Sequence, residues 1–452
     1  MSAGLPPGPP YPALVQAVGF WKRPLAFFER CRRRYGKRFT IRLPAMPPFV
    51  ILTDPDEVKE IYTAPPAVLH PGEGARVLEP LVGSHSVLLL DEDAHMTQRK
   101  LMLPAFHGEK MERLSDLIAD VAEREVASWP REEPIELQPR MQRLTLEIIL
   151  RAVFGLDPGE RLDAVRQRLS AMLAFGDRPI SMLPPPDPGS AFGKLVERWR
   201  PWAEFLRAEQ ETNELLFELI EERRGEATER DDVLSMLLEA RHVDGSPMTA
   251  QEVRDELMTL LVAGHETTAS TLSWAFERLS RSPAVLDRLT EEVAGANGDA
   301  YLTATIQETL RRRPVLPNTA PRMIKQPIEV GGWSYAPGAC LVANAYLVHH
   351  DPEIYPDPYN FRPERFLDDP PGTYTWIPFG GGRRRCLGAS FALLEMKIVI
   401  RSVISGFGIE PATDPHEVAR RRNITIRPSH GGRVRARTGR GLKRRSAGIH
   451  ST

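Results

Sequence analysis

The chain has 452 residues, 42% of them apolar and 26% charged, which are the proportions of an ordinary globular protein and exclude a disordered or membrane-embedded one. Its 59 Lys and Arg balance 60 Asp and Glu, so the net charge of -1 gives no field that would gather nucleic acid. Three scattered cysteines, Cys31, Cys340 and Cys386, exclude a disulfide framework and point to a reducing, cytoplasmic setting, and no apolar run approaches the ~18 residues that would cross a bilayer.

The opening Leu5-Pro6-Pro7-Gly8-Pro9-Pro10 cannot be helical, because each proline removes a donor and biases its predecessor towards extended backbone. Residues 1–12 are thus a proline-rich lead-in, either ordered or a tether. Residues 39–42 and 49–53, β-branched and aromatic, predict a small hairpin. Apolar residues at helical spacing come next: Leu114, Ile118, Val121 and Val126, then Leu144, Ile148 and Ala152. Pro179, Pro184, Pro185, Pro186 and Pro188 break the chain between residues 176 and 201, predicting two helices joined by a long loop of the kind that serves as a lid. Residues 252–280 read as one long helix with Leu257, Leu260, Leu261, Gly264, Thr268 and Leu272 along a face. Strand content returns near 328–342, and 389–400 is helical. The fold class is mainly α with small β-sheets. With no repeat and no flexible linker, one domain is expected over residues 1–434, and the basic residues 435–452 predict a solvated, disordered tail.

The segment Phe379-Gly380-Gly381-Gly382-Arg383-Arg384-Arg385-Cys386-Leu387-Gly388 stands directly before the last predicted helix. A helix N-terminus and neighbouring cations favour thiolate over thiol, and thiolate is the form that binds iron. Glycines on both sides let N–H groups approach the sulfur and tune its electron donation, which promotes O–O cleavage. Inside the long helix, Gly264 and Thr267 predict a local notch, the Thr267 hydroxyl turning back to the Ala263 carbonyl. Glu266 beside it pairs an acid with an alcohol, suited to ordering water and delivering protons to bound oxygen. His265 is set aside as an iron ligand, since its neighbours suit the notch better. Glu308 and Arg311 share a helical face at i and i+3, and His95 and Arg99 are two donors one turn apart.

Phe379, Gly382, Arg384, Cys386 and Gly388 together resemble the haem-binding signature of the cytochrome P450 family, and Ala263-Gly264-His265-Glu266-Thr267-Thr268 resembles its acid–alcohol motif. The resemblance runs from about Pro6 to Val434 and is closest in kind to soluble bacterial members. It implies the P450 fold around a buried haem b, with Cys386 as the proximal iron ligand, Phe379 packed near the sulfur, and Arg384, His95, Arg99 and Arg322 as partners of the haem propionates. It implies Glu266 and Thr267 as the catalytic pair, and Glu308, Arg311 and Arg365 as a buried structural network. The implied activity is a monooxygenase that uses O2 and NAD(P)H-derived electrons. No flavin or iron–sulfur segment is seen, so a separate ferredoxin or flavodoxin and its reductase are expected, and Arg383 and Arg385 are solvated charges that could meet an acidic ferredoxin. Stretches assigned to the pocket by the resemblance, residues 87–90, 172–175, 260–263 and 315–316, are largely apolar. They imply a lipophilic substrate such as a fatty acid, terpenoid or steroid-like molecule, with Arg76 and Arg178 as candidate carboxylate anchors. A peroxide-driven hydroxylase or haem isomerase of the same fold would not need Glu266 and Thr267. A non-enzymatic haem sensor would carry an output segment, and none is seen.

Overall fold

The computed structural model describes residues 4–106, 109–178, 199–226, 230–295, 298–412 and 416–438. The prolines expected to form a lid, Pro179 to Pro188, lie outside them; a short 3-10 turn ends at Asp177 and a helix begins at Arg200. Eight helices frame the site and its supports, numbered in chain order: α1 (Ala13–Lys22), α2 (Glu92–Met102), α3 (Glu109–Ala127), α4 (Leu137–Ala152), α5 (Arg200–Gly225), α6 (Ala250–Ser280), α7 (Ala300–Arg312) and α8 (Ala389–Gly406). The expected long helix is α6, which begins two residues before the predicted start. Thr249 accepts the Glu252 N–H while the Glu252 carboxylate accepts the Thr249 N–H, a reciprocal cap that fixes this start.

The expected hairpin is β1 (Arg38–Ile41) against β2 (Phe49–Leu52), antiparallel. It is the edge of a five-stranded sheet that continues through β8 (Cys340–Ala343), β5 (Arg322–Ile324) and β3 (Leu69–His70), with β2 and β8 parallel. Alternate residues of β2 and β8 serve opposite faces, as the pleat requires. Val50, Leu52, Leu341 and Ala343 join one apolar cluster, while Phe49, Ile51, Cys340 and Val342 join another that includes Cys31. The strand content near 328–342 includes a second hairpin, β6 (Ile328–Val330) with β7 (Trp333–Tyr335). Its two-residue loop, Gly331 and Gly332, has positive φ at both positions. The main core lies around α6, which packs against α4 and α8 and contributes the fully buried Leu257, Leu261 and Leu272, while α3 covers α4 and α8.

Two expectations at the chain ends are resolved. The described part of the lead-in, from Gly4, is tied to the sheet: Thr40 N–H donates to the Pro7 carbonyl at 3.0 Å, and a Cβ on Gly8 would strike the Thr40 carbonyl oxygen at 1.8 Å. The folded unit does not stop at 434. Strand β12 (Val434–Thr438) pairs with β9 (Phe407–Pro411) along its length and with β4 (Pro134–Ile135). Arg435 and Arg437 therefore belong to a sheet rather than a disordered tail, and Arg437 reaches Glu410 at 2.8 Å. Alternation explains it: Val434 and Ala436 are fully buried, so the arginines between them must point outward. The remaining basic residues, from 439 onward, lie outside the described part. The last sheet is the hairpin of β10 (Ala419–Arg422) and β11 (Thr425–Pro428).

Candidate haem-thiolate site

Two of the three cysteines behave as core hydrophobes. Burial pushes the Cys31 thiol up to about 11 and the Cys340 thiol up to about 12. Cys386 differs: the residue is exposed although its thiol has protein atoms crowded around it. That combination describes a residue opening onto an interior space. Burial raises its pKa as well, but the Gly388 N–H, Arg99 and Arg385 pull it down. The loop that presents it is fixed by backbone geometry. Cys386 N–H donates to the Phe379 carbonyl at 2.9 Å, and Gly380 and Gly382 take φ values of 67° and 63°. A side chain on Gly381 would overlap the Tyr62 ring and one on Gly382 the Tyr62 carbonyl, so the glycines also allow close approach. Phe379 packs edge-on against Trp376, with ring centroids 6.0 Å apart.

Around α2 and the cysteine loop the structure gathers the expected cationic residues. His95, Arg322 and Arg384 line one small cavity of about 40 Å³ together with Tyr62, Asp91 and Arg383. Arg322 lies over the Tyr62 ring at 4.5 Å, and Arg99 faces Cys386 closely enough for each to favour the other's charge. Arg384 donates to Asp91 at 2.7 Å, to the Val87 carbonyl at 3.1 Å and to the Leu90 carbonyl. Burial, with repulsion from Arg322 and Arg99, nevertheless depresses it to about 10. His95 is held neutral, down to about 3, by burial and by Arg384 and Arg99. Asp91 is paired with Arg384 alone among these arginines, and Arg99 and Arg322 form no ion pair with a carboxylate among the described residues. Such a set is stabilised by further anions, and the two carboxylates of haem b supply that charge beside a thiol donor; the residues fit the group.

In α6 the expected back-bond exists: the Thr267 hydroxyl donates to the Ala263 carbonyl at 2.6 Å. Ala263 is exposed and Thr267 half-buried, while most of the helix around them is packed, so this stretch looks onto open space. The notch itself is not formed by Gly264. That glycine lies where a Cβ would meet Ile149 of α4 at 3.1 Å, and it serves the close contact of two helices. Glu266 and Thr267, expected side by side in function, part company in space. The buried Glu266 carboxylate accepts from Gln142 at 2.7 Å, Gln138 at 3.3 Å and Ser270 at 3.2 Å, and pairs with Arg422 of β10. Burial raises its pKa, and Arg422 is the main opposing influence. The His265 ring is buried beside the Thr145 hydroxyl at 3.0 Å, part of the same contact with α4. A second cavity, about 490 Å³, is lined by Gln142, His265 and Arg422 among others, but by neither Cys386 nor Thr267, and no metal donor set occurs among the described residues.

The sequence and the fold have known counterparts. The family model for cytochrome P450 matches residues 5–433. The chain belongs to the cytochrome P450 family. It is 38% identical over 446 residues to a Mycobacterium tuberculosis protein named cytochrome P450 135B1, covering 97% of this chain and 93% of the relative. It is 37% identical over 432 residues to one named cytochrome P450 138 from the same organism, covering 95% and 96%. Among solved structures, a retinoic-acid-bound cyanobacterial CYP120A1 aligns with a TM-score of 0.81 at 23% identity, over 96% of this chain and all of that one. The haem domain of cytochrome P450DA aligns with a TM-score of 0.82 at 22% identity, over 97% and 99%. The mainly helical P450 fold with small sheets is therefore established for this chain, and with it a haem-thiolate monooxygenase that uses haem b, O2 and NAD(P)H-derived electrons.

Within this P450 the third predicted group also assembles. Arg311, fully buried, clasps Glu308 through Nε at 2.6 Å and Nη2 at 2.8 Å, and Arg365 approaches Glu308 at 3.5 Å. Sequence reasoning missed what these residues hold. Arg311 Nη1 donates to the His349 and Pro358 carbonyls at 2.7 and 2.9 Å, and the His349 ring accepts the Ile377 N–H at 2.9 Å, two residues before Phe379. The only signal would have been the unused pair His349-His350 before Asp351. Also missed were Asp255 and Glu256, which tie residues 85–87 to α6. Of the candidate carboxylate anchors, Arg178 is already paired with Glu204 at 3.0 Å, and Arg76 is exposed.

Proposed function

We propose that this P450 inserts one oxygen atom from O2 into a medium-to-large, lipophilic molecule of the fatty-acid, terpenoid or steroid class. In this reading it is cytoplasmic and receives electrons from NAD(P)H through a separate ferredoxin or flavodoxin and its reductase. The observation that carries the reading is Cys386, an exposed residue whose thiol is surrounded by protein atoms, set beside a surplus of guanidinium charge. In this reading Cys386 holds the iron, Phe379 shields the sulfur, and His95, Arg99, Arg322 and Arg384 hold the propionates. The bound haem supplies the site of O2 activation. Thr267 stands at the open stretch of α6, where its hydroxyl can pass a proton while Ala263 O holds it in place. Glu266 is the reserve of acid one residue away. A carboxyl whose pKa burial raises is protonated more readily, and rotating it off Gln142 and Arg422 would present its proton beside Thr267. Glu308, Arg311 and Arg365 position the cysteine loop. Support for a lipophilic substrate comes from the apolar stretches at 87–90, 172–175, 260–263 and 315–316, with Val87, Met172, Phe175 and Val315 buried. The same fold takes retinoic acid, a terpenoid acid, in the cyanobacterial protein. No helix among the described residues is long and apolar enough to cross a membrane.

The test is a titration of the haem-loaded protein with a mixed library, following the low-spin to high-spin shift, then product analysis with ferredoxin and reductase added. Lipophilic compounds should shift the spectrum and be oxidised only when the redox proteins are present. Hits confined to small polar compounds, or turnover with NAD(P)H alone, overturn the substrate and partner readings respectively.

A further inference from the structure

Exposed apolar side chains mean little singly, and a meaning attaches only to a contiguous patch. Of the large hydrophobic side chains exposed among the described residues, four fall within one short stretch: Tyr11 (54% exposed), Leu14 (71%), Val15 (55%) and Val18 (56%). They stand at i, i+3, i+4 and i+7, one stripe of α1, whose other side buries Gln16 and Phe20. The stripe is not a frayed end. Gln16 donates to the Pro9 and Tyr11 carbonyls at 3.2 and 2.8 Å and accepts the Arg42 N–H at 2.9 Å, which locks the helix onto the sheet.

The charge around the stripe is of one sign. Lys22 continues its face one turn after Val18, Arg23 comes directly after it, Arg42 is held by Gln16, and Arg420 donates to the Lys22 carbonyl at 3.0 Å. All four side chains are exposed, and none has an ion-pair partner among the described residues. The first 53 residues hold nine Lys or Arg and a single acid, Glu29; Arg32, Lys37 and Arg38 are paired with Asp351, Glu353 and Glu57, and the cations beside the stripe, Lys22, Arg23 and Arg42, are not among those paired. In a chain whose net charge is -1 this is a local concentration of positive charge. The stripe lies on one exposed helix face, and none of its four residues lines either cavity described above. A fluid hydrocarbon boundary requires no cavity, and acidic headgroups answer the basic rim.

We propose that α1, with Tyr11, docks this enzyme on an anionic lipid bilayer. Leu14, Val15 and Val18 enter the boundary between headgroups and acyl chains, and Lys22, Arg23, Arg42 and Arg420 contact the headgroup phosphates. The contact is monotopic and independent of the substrate reading. It is tested on the haem-loaded full chain by flotation with vesicles of phosphatidylcholine, with and without phosphatidylglycerol. Binding is expected with phosphatidylglycerol and little without it, and it should weaken in high salt. Leu14→Glu/Val18→Glu should lower the bound fraction about ten-fold, and Lys22→Glu/Arg23→Glu should remove the phosphatidylglycerol preference. Both should leave the carbon monoxide spectrum of the reduced haem unchanged. Several outcomes overturn the proposal: no flotation of the parent protein, equal flotation of the Leu14→Glu/Val18→Glu protein, or a self-association that this variant abolishes while neither protein floats. The last would make the stripe an interface between two copies. Lost electron transfer from an acidic ferredoxin without flotation would assign it to the redox partner instead.

Discussion

Truncating Arg311 tests whether the buried charge network is what holds the cysteine loop. Its guanidinium makes five hydrogen bonds, two to Glu308 and one each to the carbonyls of His349, Pro358 and Asn360. In Arg311→Ala the Glu308 carboxylate, fully buried, keeps only the Arg362 N–H at 2.9 Å and the looser Arg365 at 3.5 Å, and three carbonyls lose a donor. Breaking a buried pair from one side costs about 3–5 kcal/mol, chiefly the orphaned charge. An unfolding entropy of about 2.1 cal/mol/K per residue gives a chain of this length about 0.9 kcal/mol/K, so the melting temperature should fall by about 3–5 °C. Far-UV circular dichroism of the haem-loaded protein reads that fall, and the Soret band on the same samples reads haem retention, which should decline first because His349 connects Arg311 to Ile377 and the loop beyond it. Glu308→Leu/Arg311→Met, which removes both charges, should recover more than half of the loss. A melting temperature for Arg311→Ala within about 1 °C of the parent, or a double variant as unstable as the sum of the singles, would refute the reasoning.

Two more outcomes are expected of α6. Thr267→Ala should retain haem and substrate-induced spectral change but yield several-fold less product per NAD(P)H, the difference appearing as hydrogen peroxide; unchanged coupling with a well-fitting substrate would remove Thr267 from proton delivery. Glu256, whose carboxyl burial pushes up to about 8, stays protonated in the fold at pH values where the unfolded chain ionises it. That contribution is fully present below about 4.5 and is lost as pH rises through about 8, so Glu256→Gln should gain stability relative to the parent between those limits, read as urea midpoints at pH 5.5 and 8.5. A constant difference between the two proteins would place the titration elsewhere.

The chemistry is legible in the sequence because it rests on contiguous residues whose types are each demanded by local geometry. Gly380 and Gly382 need positive φ, and Cys386 closes on Phe379, so the loop is written within ten residues. The same locality exposes the β1–β2 hairpin and the full length of α6. What stays hidden depends on partners far apart in the chain. Nothing near Glu266 announces that Gln138, Gln142 and Arg422, all more than 120 residues away, will share its carboxylate. Gly264 reads as a device for loosening a helix because its neighbour Ile149 lies on another element. Strand β12 reads as tail because arginine and lysine crowd the sequence around it, and composition outweighs the alternation of Val434 and Ala436. Short strands such as β3 and β5 carry too few residues for any period to show.

Those distant partners also join the two sides of the site. Asp255 accepts both the His85 N–H and its ring, and a Cβ on Gly83 would overlap the same carboxylate. Glu256 accepts the Val87 N–H at 2.8 Å, and the Thr259 and Ser86 hydroxyls meet at 2.6 Å. Residues 83–87 are thereby fixed to the helix that carries Thr267. From the other side, Arg384 binds the Val87 and Leu90 carbonyls and Asp91, whose carboxylate in turn accepts the Gly72 and Glu73 N–H groups. Arg384 stands two residues before Cys386. Val87 therefore has its N–H on α6 and its carbonyl on the cysteine loop, which makes this one peptide segment the strut that sets their separation. An apolar wall built on a strut has little freedom to widen. In the proposed reading, where residues 87–90 line the pocket, substrate selectivity should then respond to Asp255 and Glu256 as strongly as to the side chains of that stretch.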